Sequence, residues 1–198
     1  MLQQKAIAMK ATSRNATAAL MLSIGMSSFS PCAQAALKPG DPAPDFTLAA
    51  AIGGKETSFS LSEHLRQGPV VLYFYPKSFT RGCTVEAHEF ADHRDDFAAA
   101  GASLLGVSSD TIDIQREFSS KECRDKFPVG ADPGLTTIKA YDAQRQKPGT
   151  SGEALADRIS YVIVDGKVAF SLTDSNPVKH VESTLEFVRK WRDEHRGH

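Results

Sequence analysis

Cysteine is scarce in this chain, with only Cys32, Cys83 and Cys123 among 198 residues. No two of them form a Cys-x-x-Cys pair, because Thr80 occupies the first position of the one place where such a pair would fit. No Cys/His cluster has zinc-ligand spacing either, so a structural zinc site is excluded. His88 and His93 are five apart and share a helix face poorly, which predicts solvated helix residues rather than a metal pair. Phosphate-cradling loops are also missing, since Gly53-Gly54 and Gly149 to Gly152 lack the strand, glycine pattern and helix order of a nucleotide site. Positive charge is not in excess, with 23 basic residues against 24 acidic ones. Without a basic stripe to neutralise phosphates, nucleic-acid binding is disfavoured. No apolar run reaches the roughly 20 residues that span a bilayer, which argues against stable membrane insertion.

What remains, 41% hydrophobic and 24% charged residues, is ordinary for one globular domain with a sizeable core. Residues 1–35 differ from the rest. Their only charges are Lys5, Lys10 and Arg14, followed by a mostly apolar run from Ala18 to Phe29 and then Ala33-Gln34-Ala35. That layout reads as a cleaved secretory signal peptide with a small-x-small site, and Met9 offers an alternative start with a shorter basic region. Cys32 leaves with this leader, and Phe29-Ser30-Pro31 before it lacks the pattern of a lipoprotein signal. The expected product is exported, to the periplasm of a bacterium, and net acidic. Residues 36–44, rich in proline and glycine, form an extended N-terminal segment, and residues 45–198 one domain.

Within that domain, Phe46 to Ala50 and Thr57 to Leu61 flank Gly53-Gly54 as an N-terminal β-hairpin, and Val70 to Tyr75 reads as a buried strand. Helical spacing from Thr84 to Ala100 ends at Gly101. A strand at Ser103 to Ser108, a helix from about Thr111 capped by Asp110, and a short helix at Leu135 to Tyr141 follow. Strands at Ile159 to Val164 and Val168 to Ser171 join through Asp165-Gly166, and an amphipathic helix runs from about Val178. The order predicts an α/β domain with a sheet flanked by helices on both faces.

The segment from Tyr75 to Thr84 places Cys83 directly after Gly82, between a buried strand and a helix start. Backbone N–H groups at a helix start stabilise a thiolate, the nucleophilic form of cysteine. Thr80 can present a hydroxyl to the sulfur or to a bound oxygen, and Gly82 permits close backbone approach. Lys77 and Arg81 border this loop and fit either attraction of an acidic partner or simple solvation.

These residues resemble the peroxiredoxin signature of proline, three residues, threonine or serine, two residues, cysteine, read here as Pro76, Thr80 and Cys83. The likeness continues through Glu86, Gly106 to Asp110, Asp132-Pro133 and Arg158 to Asp165. Phe74-Tyr75-Pro76 and Gly82-Cys83-Thr84 are most similar to the bacterioferritin-comigratory, or Q-type, branch of the alkyl hydroperoxide reductase/thiol-specific antioxidant family. The resemblance implies a thioredoxin-like fold with a central mixed sheet, a hydroperoxide substrate, a thioredoxin-like or other thiol reductant, and a monomer. It implies no metal or organic cofactor. It assigns Cys83 as the peroxidatic nucleophile, Thr80 as a hydrogen-bonding partner of the peroxide, Pro76 as a shield against water and Arg158 as the positive charge. Glu86, one turn into the helix, can pair with and orient that arginine.

A sulfenic acid on Cys83 must condense with a second thiol before it over-oxidises. Many Q-type relatives carry that thiol five residues after the first, where this chain has His88. Other members place it in the following helix, so the resemblance makes Cys123 the resolving cysteine, with reduction of Cys83 by an external thiol as the alternative. Two further classes compete on the same fold: a thiol–disulfide exchange protein and a non-enzymatic partner-binding module.

Overall fold

The computed structural model describes residues 36–195, so the expected leader at 1–35 and residues 196–198 lie outside it. The elements run β1 (Thr47–Ile52), β2 (Lys55–Ser60), α1 (Leu61–Leu65), β3 (Val70–Phe74), α2 (Arg81–Asp92), α3 (Arg94–Ala99), β4 (Ser103–Ser108), α4 (Ile112–Lys121), β5 (Val129–Ala131), α5 (Thr136–Ala140), β6 (Ile159–Val164), β7 (Lys167–Thr173) and α6 (Pro177–His195).

The seven strands form one mixed sheet in the order β2-β1-β5-β4-β3-β6-β7. β3 pairs in parallel with β4, and β4 with β5, whereas β1 and β6 pair antiparallel to β5 and β3. β3 sits inside the sheet, between β4 and β6, because of its composition. All five of its residues are apolar and buried, so it tolerates cover on both faces. Alternation sends Val71 and Tyr73, followed by Tyr75, into one cluster with α2, α3, α4 and α6 residues. Val70, Leu72 and Phe74 face the opposite cluster with Leu61, Ile138 and Tyr141. The helix-flanked mixed sheet and the N-terminal hairpin of β1 and β2 match the expected architecture.

Four local expectations are corrected. The helix foreseen from Thr84 to Ala100 starts at Arg81 and breaks at His93, where α3 begins again with Asp95 and Asp96 in its first turn. Acidic side chains are favoured there, and His93 Nδ1 lies 3.1 Å from Asp96 Oδ2. The second hairpin strand ends at Ser60 rather than Leu61, because Ser60 Oγ accepts from Glu63 N at 3.4 Å and caps α1. Ser60 and Glu63 have capping-box spacing, so the sequence carried that signal. Thr111, not Asp110, stands at the N-cap position of α4 and makes no side-chain cap bond, while the Asp110 carboxylate is bound elsewhere. β5 was not foreseen: a three-residue strand with a glycine at its centre has no period of its own and exists through its neighbours.

Candidate active site

Cys83 is the third residue of α2, with Thr80 at the helix N-cap position. The loop departs from the C-terminal end of β3, and Cys83, 2% exposed, lies near that end. Arg158, immediately before β6, lies beside it because β6 pairs with β3 in the register Phe74 to Ile159. Its Nη2 is 3.5 Å from Cys83 Sγ. Its Nη1 donates to Glu86 Oε2, an oxygen of a fully buried carboxyl group. The guanidinium is thus held at one end by that carboxyl and offered at the other to the sulfur.

Burial pushes the Glu86 carboxyl up to about 8, with Arg158 pulling against that rise. For Arg158 burial works against the charge, but Glu86 and Cys83 outweigh it and raise its pKa. Glu86 Oε1 and the Tyr73 hydroxyl are both buried without a hydrogen-bond partner among the described residues. Gly82 has a role beyond the one expected. The Arg158 guanidinium packs against it, its Nη2 standing 3.1 Å from where a Cβ would be.

Thr80 does not contact the sulfur. Its Oγ1 donates to Lys77 O at 2.9 Å, which uses its proton and leaves the oxygen with acceptor capacity only. Pro76 and Arg158 line one cavity of about 380 Å³ together with Arg145, Asp157 and Asp174. Lys77 is drawn away from the loop by Glu153, 3.2 Å distant.

Cys123 lies just past the end of α4, fully buried and in the same packed cluster as Cys83. Both thiols are free. Burial, reinforced by Glu122, raises the Cys123 thiol well above its ordinary pKa. His88 is not simply solvated as expected: it is half-buried, and its Nε2 meets Glu122 Oε2 at 2.8 Å. That contact ties α2 to the residue directly before Cys123. His93 is likewise paired with Asp96 rather than free in solvent.

Two groups near the site were not foreseen. His180 of α6 is buried behind Arg158, and its Nε2 must donate to Asp174 O, since a carbonyl only accepts. Its Nδ1 then accepts from Ser160 Oγ at 2.8 Å. Burial holds His180 below the usual histidine range, and Arg158 adds to the shift. The second group is Gln115, fully buried within α4. Its only signal in sequence was a polar residue at helical spacing from Ile112 and Phe118.

A buried cysteine in the first turn of a helix, with an arginine aimed at its sulfur, defines a cysteine-dependent redox centre. Comparison with known proteins makes this definite. Residues 39–171 match the AhpC/TSA family, and the chain belongs to it, as a thiol peroxidase of the peroxiredoxin class. Arabidopsis thaliana peroxiredoxin Q, chloroplastic, is 33% identical over 157 residues, 78% of this chain and 68% of that protein. Among solved structures, peroxidoxin BcpB from Mycobacterium tuberculosis superposes with a TM-score of 0.69 at 32% identity, over 78% of this chain and 97% of that one. PrxQ from Xylella fastidiosa, solved as a cysteine-to-serine variant, gives 0.70 at 25% identity over 79% and 98%. The fold is therefore the thioredoxin-like fold of peroxiredoxins, and the Q-type likeness expected from sequence is borne out.

Proposed function

We propose that this peroxidase reduces hydrogen peroxide and organic hydroperoxides through a sulfenic acid on Cys83, resolved by Cys123 and recycled by a thioredoxin-like reductant. The observation that supports it is the Arg158 Nη2 to Cys83 Sγ approach of 3.5 Å, with Glu86 fixing the other end of the guanidinium. The thiolate attacks one oxygen of the hydroperoxide, an S–O bond forms and the O–O bond breaks. The electron pair leaves on the departing oxygen, which takes up a proton to become water or an alcohol. Arg158 stabilises negative charge first on sulfur and then on that oxygen. Thr80 accepts from the peroxide hydroxyl, and Pro76 limits water at the sulfur.

Cys123 sulfur then attacks the sulfenic sulfur, an S–S bond forms, and the hydroxyl departs as water with the proton of the Cys123 thiol. A dithiol reductant returns both cysteines to thiols. Because Cys123 is fully buried, its sulfur reaches Cys83 only after the first turn of α2 and the end of α4 open. The protein acts as a monomer, and the charge and apolar pattern of residues 1–35 directs its export.

Rapid mixing of the reduced protein with hydrogen peroxide tests the reading. Fast oxidation that disappears in Cys83→Ser is expected, and a rate equal to that of free cysteine would refute it. In Cys123→Ser the intramolecular disulfide should vanish and thioredoxin-driven turnover should fall. Full turnover without the disulfide would reject Cys123 as the resolving thiol. Sequencing of the N-terminus after expression in a bacterium decides the export step: a start at Ala36 is expected, and an intact Met1 or Met9 refutes it.

A further inference from the structure

The loop that carries Pro76 and Thr80 is fastened by a closed ring of hydrogen bonds that the reaction described above does not use. Ser78 N donates to Asp110 Oδ2 at 2.7 Å, and Ser108 Oγ donates to the same oxygen at 2.7 Å. Gln115 Nε2 donates to Ser108 Oγ at 2.8 Å, and Tyr75 Oη donates to Gln115 Oε1 at 2.7 Å. Ser78 Oγ, 3.2 Å from Tyr75 Oη, closes the circuit.

The direction of every proton follows from the partners. Gly130 O, 3.0 Å from Gln115 Nε2, only accepts, so the amide nitrogen must face it and the amide oxygen must face Tyr75. A carboxylate only accepts, so Ser108 must give its proton to Asp110. Tyr75 has then spent its proton on Gln115, and Ser78 Oγ donates to Tyr75 or to Gln115 Oε1, 3.5 Å away. All five side chains are buried, and Gln115 and Ser108 are fully so. A buried polar network with every group satisfied holds a single geometry, and removing one member strands the others.

Gln115 is the one member on a helix, and that helix, α4, leads to Cys123. One turn further along, Phe118 meets Phe79 edge to face at 5.3 Å. Phe79 is left-handed, with φ 63, a conformation that a non-glycine residue keeps only when its surroundings impose it. The loop therefore rests on two successive turns of α4, through Gln115 on one side of Phe79 and Phe118 beneath it.

We propose that Gln115 is a positioning residue for peroxide reduction: through Tyr75, Ser108 and Asp110 it holds residues 76–80 in the arrangement that presents a hydroperoxide to Cys83. The proposal deepens the peroxidase reading and rests on it. It also makes the loop and α4 release together, so the segment that binds peroxide lets go when the helix before Cys123 opens.

The test uses Gln115→Met, which removes the amide at nearly constant volume, and Tyr75→Phe, which opens the ring but keeps the aromatic packing should the first variant fold poorly. Two rates are measured on Cys83 in each reduced protein: oxidation by hydrogen peroxide, which needs a held oxygen, and alkylation by iodoacetamide, which does not. Peroxide oxidation should fall about tenfold while alkylation stays level or rises, because small misplacements of a reactant are costly only to the reaction that depends on placement. The double variant should lose no more than either single one, since the ring breaks only once. Equal peroxide rates, or both rates falling together, would overturn the proposal. Amide hydrogen exchange separates it from the reading beneath. If the wild-type chain proves unreactive towards peroxide, the peroxidase reading fails, and loss of protection at Ser78 and Phe79 with Leu72 unchanged still upholds the ring as the device that orders the loop. Unchanged protection overturns it.

Discussion

Gly82 and Arg158 show how closely the site is fitted at the level of single residues. Gly82 is the second residue of α2, where exchanging glycine for alanine ordinarily stabilises by about 0.4–1 kcal/mol by restricting the unfolded chain. Here the new methyl group would stand 3.1 Å from Arg158 Nη2, and the arginine has little room to yield because Glu86 holds its other end. With that clash offsetting the usual gain, Gly82→Ala should leave urea stability about level while peroxide oxidation of Cys83 slows roughly tenfold, since a displaced cation stabilises developing charge less well. Parallel loss of stability and rate would show that the methyl group is accommodated some other way. Pro76, Thr80, Cys83 and Arg158 were legible in sequence because each belongs to a fixed spacing or precedes a recognisable strand. Gln115 and His180 were not: their importance lies in partners from three or more elements, and spacing along one helix says nothing about those.

Between elements, the meeting of β3 and β4 is the tightest point near the cysteines. Tyr73 of β3 lies over Gly106 of β4, and a Cβ there would fall 2.5 Å from the ring. The ring cannot retreat, because Phe90 stacks on it at 4.3 Å and Tyr75 adjoins it at 5.6 Å. Gly106→Ala should cost about 1–3 kcal/mol in urea denaturation, the usual penalty for overpacking; an unchanged midpoint would contradict the close fit. The elements that sequence revealed were those with their own period, such as the buried run of β3 and the amphipathic α6. The ones it hid were dictated from outside. β5 is a strand because β1 and β4 supply its hydrogen bonds, and the long helix divides at His93 because a local pairing with Asp96 restarts it.

Across the molecule, one buried carboxyl couples the site to overall stability. The folded protein holds the Glu86 proton up to about pH 8, whereas the ordinary value is 4.5. The folded state therefore binds more protons than the unfolded one between those limits, and stability from this group is complete below the lower limit and lost as pH rises through the upper one. Urea denaturation across that range should show wild type losing stability relative to Glu86→Gln as pH increases, because glutamine has no proton to release and Arg158 stays charged throughout. A difference independent of pH would refute the assignment. Among the described residues no helix is long and apolar enough to cross a membrane.

The stretch ahead of β1, which turns at Pro39-Gly40 and bridges to Lys167 at Pro42, is laced into the rest. Leu37 N donates to the Tyr161 hydroxyl at 3.2 Å, Gly40 N to Val168 O at 2.8 Å, and Ala43 N to Gly166 O at 2.9 Å. Ala36 and Leu37 also pack against the second cluster. A boundary for truncation from the N-terminal side follows. A protease that trims the chain up to Ala36 leaves this lacing whole, but one that clips beyond Leu37 removes a donor from the Tyr161 hydroxyl, which keeps only its bond to Tyr141 O, and uncovers part of the second cluster. The domain thus carries its own mark for where its front end has to be left alone.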